Sequence, residues 1–273
     1  MVALGGPASD FSIRSITASG GTQGTESVVL EEAFDSLVRD LGTAISVKPS
    51  FPAETPGASG FDVSFGSSFI FLEQPTEGQT NHWQRATGDQ DYNSFLYIPS
   101  LTARKGLPMS MELGATASWL MGSEIGAFGG FFRAAVVEGY KPWPDITLHG
   151  GFTGLVGHPE LDLAVVTTGV TLGSTYAFGS VAGIRQAQVS PWLDFTLLQK
   201  FTKVRVDPNT REDLFGELEE NAGEDKRGQK YYGPAPQIGG GIQITNSTVL
   251  FRIASTWTPQ SVPTLFVAMG FTY

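Results

Sequence analysis

The sequence predicts an all-β fold: a transmembrane, up-and-down antiparallel β-barrel of about twelve strands, with ten or fourteen also compatible, preceded by one N-terminal amphipathic helix. Three observations predict it. Apolar residues alternate with small or polar ones in segments of about ten residues, the length a membrane-crossing strand needs. Charged residues make up 16% of the chain, against about 25% in ordinary soluble domains. The chain ends on "TLFVAMGFTY", which as a strand puts Leu265, Val267, Met269, Phe271 and Tyr273 on one face and smaller or polar residues on most of the other.

Composition narrows the class further. There is no cysteine, so disulfides, Cys-ligated zinc and thiol catalysis are excluded. A net charge of −10 argues against a nucleic-acid partner. No apolar run reaches about eighteen residues, so no helix spans a membrane. The opening "MVALGGPASD" has neither a basic n-region nor an apolar h-region, so it is not an intact signal peptide; for a barrel of the bacterial outer membrane, as the strand pattern predicts, the chain is expected to be the mature form. A soluble sandwich or lipocalin-like barrel also alternates, but its solvent face carries Lys and Glu. Here the non-apolar face is mostly Gly, Ser, Thr and Ala.

Two units follow along the chain: residues 1–42 as arm and helix, and residues 43–273 as barrel. Residues 1–25 are rich in Gly, Ser and Thr and read as a loose arm. In "SVVLEEAFDSLVRDLG", Ser27 can cap, Glu31 and Glu32 suit the first turn, and Leu30, Phe34, Leu37, Val38 and Leu41 recur at helical spacing before Gly42. From residue 43 the period becomes two. The strands are expected at 43–51, 60–72, 94–104, 108–120, 123–138, 145–156, 160–172, 174–187, 190–204, 231–245, 247–258 and 262–273. In the first, Ile45, Val47, Pro49 and Phe51 would face lipid; in the fourth, Met111, Leu113 and Trp119; in the eleventh, Val249, Phe251, Ile253 and Trp257. Two connections are long. The 205–230 connection follows an odd strand and is expected outside the cell, whereas 73–93 follows an even one and would fall on the periplasmic side, where turns are short.

The inward face carries Lys48, Asp62, Arg104, Glu112, His149, Arg185, Asp194, Lys200 and Arg252. Both signs are present, so pairing across a narrow lumen is favoured over a selective ring and no ion preference follows. The helix stripe of Leu30, Phe34, Leu37 and Leu41 must bury somewhere, either as a plug in the lumen or as a cap on the periplasmic mouth. His149 and Thr153 share a strand face, and His82 and His158 stand elsewhere. No nucleophile, base and orienting group are brought together, so no catalytic residue is expected. Asp89, Asp91 and Asn93 alternate as in a calcium loop, but Ser94 replaces the turn glycine and Ser100 stands where an acid is needed. No metal site and no cofactor are expected. The acidic stretch 207–225 reads as a solvated loop, with divalent ions bridging lipopolysaccharide as its functional alternative.

The terminal face of Leu265, Val267, Met269, Phe271 and Tyr273 resembles the C-terminal strand signal of outer-membrane β-barrel proteins, which implies the barrel assembly machinery as a partner. "GASGFDVSF", "RKGLPMSMELGA" and "EGYKPWPDITLHGGFTGLVGHPELDL" resemble uncharacterised conserved outer-membrane proteins of myxobacteria and related deltaproteobacteria, over residues 34 to about 200. That resemblance implies a barrel and no particular activity. The expected function is a narrow or gated passive channel for small solutes. The alternatives are a scaffold barrel anchoring an envelope protein complex, and a hydrophobic-substrate transporter if Phe34, Leu37 and Phe266 line one apolar cavity. Outer-membrane lipid, lipopolysaccharide and an envelope protein are the remaining expected partners.

Overall fold

The computed structural model describes residues 11–18, 26–47, 51–72, 81–87, 95–140, 143–178, 187–206, 228–259 and 261–273, with the backbone alone for 17–18 and 26–30. Ten long strands form an antiparallel ring: β1 (Phe61–Phe71), β2 (Phe95–Leu107), β3 (Met111–Trp119), β4 (Gly126–Val137), β5 (Asp145–Val156), β6 (Leu161–Gly173), β8 (Ala187–Val204), β9 (Gln229–Asn246), β10 (Val249–Trp257) and β11 (Thr264–Thr272). Each pairs with its neighbour in sequence; β6 pairs directly with β8, and β11 closes on β1, where Val63 faces Phe271. The short β7 (Tyr176–Phe178) hangs on the start of β8 outside the ring. Closure leaves no free sheet edge around the barrel waist, which a sheet in lipid requires.

The wall is apolar outside and polar inside. Along β10, exposed Phe251 and Ile253 (51% and 59%) flank Arg252 at 1%. The same alternation carries exposed Leu113, Phe128, Leu148, Phe152, Leu193, Phe195 and Met269 around the ring. In water such a surface would be an aggregation site. In a bilayer it is the solvated face, so this is an outer-membrane-type barrel.

Two of the twelve expected strands are not part of the ring. The described residues of 43–51 form none: helix α2 (Glu26–Ile45) runs past Gly42, and its last turn is closed by Thr43 Oγ1 donating to Arg39 O (2.8 Å) and Ser46 N to Gly42 O (3.1 Å). Ile45 and Phe51, expected in lipid, are buried inside. The unit boundary therefore falls at Gly60/Phe61 and not at 42/43. Among the described residues of 174–187, Tyr176–Phe178 form the short β7 and Ala187 opens β8, so the segment adds no strand of its own to the ring, where β6 pairs directly with β8. With both removed, connection 72–94 follows the first strand. It shares a mouth with 205–228, so the parity conflict disappears.

At that long-connection mouth sit α1 (Ile13–Ala18), α2 and α3 (His82–Thr87). Phe34, Leu37, Val38 and Leu41 bury their stripe against Ile13, Ile16 and Trp83 and against Leu161, Val165, Leu198 and Val204 of the wall. The helix thus sits at the mouth opposite the C-terminus, and its expected place as a cap on the C-terminal, short-turn mouth does not hold. From its end the chain descends through the lumen. Val47 N donates to Thr153 Oγ1 (3.1 Å), Arg133 Nη2 to Pro52 O (2.7 Å), the Thr147 hydroxyl to Ala53 O, and Thr55 N to Glu138 Oε1 (2.6 Å). It leaves at the C-terminal mouth, where Gly106 N donates to Gly60 O (3.0 Å) and Phe61 pairs with Tyr273. Gly106 is tied to this exit: a Cβ there would stand 1.8 Å from Gly57 O.

Candidate functional site

Inside the lumen, a charged cluster is built around Phe51. Its ring lies 4.8 Å from Arg104 Cζ, 4.7 Å from Arg252 Cζ and 5.7 Å from Arg133 Cζ, with Phe131 at 5.1 Å on the wall. Three guanidinium groups crowd together because two carboxylates hold them there. Asp62 takes Arg104 Nη2 at 3.1 Å and also binds Arg252, while Glu112 takes Arg104 Nη1 at 3.2 Å and Arg133 Nη1 at 2.8 Å. Arg252 further donates to Gln243 Oε1 (2.6 Å) and Ser64 Oγ (3.2 Å). The strands position these groups: Asp62, Arg104, Glu112, Arg133, Gln243 and Arg252 occupy inward positions on β1, β2, β3, β4, β9 and β10. In a dry lumen such a network keeps its charge only because every cation meets an acceptor.

Around this thread little space is left. One void of about 40 Å³ lies between Val47, Phe51, Phe131 and Phe266, and another of about 20 Å³ between Phe51, Arg133 and His149. Each holds water and nothing larger. Gly129 is required where the thread passes, since a Cβ there would come 2.8 Å from Val47 Cγ2.

The long-connection mouth is different. A cavity of about 500 Å³ is lined by Arg39, Lys200, Tyr231, Tyr232, Pro234, Pro236, Thr258 and Ser261. Pairing between β9 and β10 stops at Ile238 and Trp257, so the upper part of β9 has no β10 partner; Pro234 and Pro236 remove two N–H groups from that edge. The polar face of α2 is fastened to the same strands. Lys200 Nζ donates to Arg39 O (2.8 Å) and Thr43 Oγ1 (3.1 Å), Lys230 Nζ reaches Glu31 (2.8 Å) and Asp35 (2.7 Å), and Tyr232 donates to Asp35 (2.8 Å). Asp40 holds His82 at 2.7 Å and Trp83 Nε1 at 3.0 Å, tying α2 to α3.

Of the lumen residues singled out in the sequence, Asp62, Arg104, Glu112 and Arg252 meet in one network. His149 and Asp194 pair separately (2.9 Å), with Thr171 also donating to Asp194 (2.7 Å), and Lys200 belongs to the helix mouth. Thr153 shares the inward face of β5 with His149 and accepts from Val47. Lys48, Arg185, Asp89, Asp91, Asn93, the 207–225 stretch and the side chain of Leu30 lie outside the described residues. Arg133 and Phe51 were not singled out. Arg133 had a signal, its inward place beside outward Phe132; Phe51 had none.

No protein-family model and no curated protein matches the chain. Among solved structures it is similar to the attachment invasion locus protein Ail of Yersinia pestis (8% identity, 79% of this chain and 99% of that one, TM-score 0.28). It is also similar to the KdgM porin (3%, 78% and 99%, TM-score 0.34) and to the transport unit of the autotransporter AIDA-I from Escherichia coli (8%, 89% and 97%, TM-score 0.32).

Proposed function

We propose that this chain is a narrow, gated passive channel of the bacterial outer membrane, akin to the uncharacterised outer-membrane proteins its "RKGLPMSMELGA" segment resembles, in which residues 46–47 and 51–56, the described part of the lumen thread, are the gate. The observation that carries the reading is the lumen itself: Phe51 is packed against three guanidinium groups, with voids of about 40 and 20 Å³ beside it, so solute passage requires the thread to move. The 500 Å³ mouth cavity then serves as the vestibule. No step of this reading needs catalysis, metal or cofactor; lipid, lipopolysaccharide and the assembly machinery are its partners.

Planar-bilayer recordings of the full chain and of a form starting at Gly57 test it. The wall satisfies its own ladders without residues 1–56, so the shortened form should assemble and conduct in larger steps. Equal conductance would remove the thread as gate. Silence of both forms would favour the second reading, a scaffold barrel, which the filled lumen also supports. The hydrophobic-transporter reading has less support, since Phe34 and Leu37 pack among the helices while Phe266 lines the 40 Å³ void.

A further inference from the structure

We infer that the barrel holds its own N-terminal segment on the outer surface of the cell, so that any chain joined ahead of residue 11 is presented outside. The inference rests on the outer-membrane barrel reading and not on conduction.

The two mouths differ in a way that orients them. The two longest connections, 72–94 and 205–228, open at one mouth; the other, beside Tyr273, holds 108–110, 138–144, 247–248 and 174–186, the last of them about half as long as 205–228. Barrels of this kind keep short turns on the periplasmic side and long connections outside. The long-connection mouth is therefore external.

Residues 11–18 are docked at that mouth by specific contacts. The Glu160 carboxylate accepts from Ser12 Oγ (2.9 Å) and Ile13 N (2.7 Å), and pairs with Arg14 (3.3 Å). His158 Nε2 donates to Phe11 O (3.0 Å), and the two rings stack with centroids 4.4 Å apart. Ser12 N donates to Ala86 O of α3 (3.0 Å), and Phe11 meets Trp83 edge-on. His158 and Glu160 belong to the turn between β5 and β6, and α3 to the connection between β1 and β2. Both connections are external. In sequence, "GHPE" reads as a bare turn; here two of its four residues form a clamp.

From this clamp the chain runs inward through α2, past Thr153, Arg133, Thr147 and Glu138, and emerges at the C-terminal mouth as Phe61. Its two ends stand on opposite sides of a closed ring. Whether the ring closes around the thread or the thread passes outward through it, residue 11 ends outside. Keeping it in the periplasm would strip Phe51 from three buried guanidinium groups and break the Glu160 and His158 clamp.

The test uses the full chain with an epitope tag ahead of Met1, and separately with the same tag between residues 141 and 142 in the β4–β5 connection. Antibody labelling is compared on intact and outer-membrane-permeabilised cells, with heat-modifiable gel mobility confirming assembly of each form. The N-terminal tag should label equally before and after permeabilisation, and the second tag only after. An assembled form whose N-terminal tag labels only after permeabilisation overturns the inference and leaves the barrel reading standing. Loss of heat-modifiable mobility in the untagged chain overturns both.

Discussion

Residues 43–51 and strand β10 carry the same alternation and end in opposite environments. In β10, Phe251 and Ile253 face lipid while the backbone bonds β9 on one side and β11 on the other. In 43–51, Ile45 and Phe51 are enclosed by the wall, and no strand pairs with the described part of the segment. Alternation therefore reports that a segment meets two environments, and not which ones. The deciding quantity is whether both backbone edges find a strand, and Pro49 and Pro52 have no N–H to offer a ladder. The wall is held by ladders and lipid, the thread by side-chain contacts, and the two should fail separately.

The largest expected effect comes from the inner face of the wall. Glu112→Leu leaves Arg104 and Arg133 short of an acceptor in a buried network, and breaking such a pair costs about 3–5 kcal/mol. The urea midpoint of the heat-modifiable form should fall accordingly. A midpoint unmoved by this change would mean that water reaches the cluster and the lumen is not dry. Next door, Leu113→Arg puts a charge on the lipid face, at about 2–4 kcal/mol near the bilayer midplane. That cost should appear in lipid vesicles and shrink in detergent, whereas the Glu112→Leu cost should persist in both. If both losses depend on lipid alike, the two faces have been assigned wrongly.

The split between wall and thread also separates what could be read in the sequence from what could not. Asp62, Glu112 and Arg252 stand as single charges in strands whose other face is largely apolar, and a charge there has only the lumen to enter; Arg104 shares its strand with Lys105, which lies on the opposite face near the strand end. Arg133 followed the same rule and was passed over. The network's members lie far apart along the chain, Asp62 and Arg252 among them, and meet only because the ring closes in one register. Periodicity is local and carries no such information. The helix stripe was visible, but its end was not: Gly42 looks like a stop, and Thr43 and Ser46 supply the bonds that carry the helix through it. The clamp at His158 and Glu160 depends on a partner almost 150 residues away in sequence, which no motif signals.

The smallest effect on the wall, and the sharpest separation of the two regions, should come from Phe51→Ala. Phe51 belongs to no ladder, and the guanidinium groups it covers keep Asp62, Glu112 and Gln243 when the ring is gone. What is lost is the packing of the Phe51 side chain in the lumen, of order 3–5 kcal/mol for truncating a buried Phe, together with cation–π contacts of about 0.5–2 kcal/mol each. With the ring of strands held by its own ladders, that loss is expected in local opening of the thread. Amide hydrogens described in the thread, such as those of Val47 and Thr55, should exchange faster while the barrel midpoint stays where it was. In planar bilayers the same variant should spend more time open than the native chain and less than the form starting at Gly57. A barrel midpoint that fell together with thread protection would show wall and thread to be one cooperative unit, and the gate would then have no motion independent of the wall.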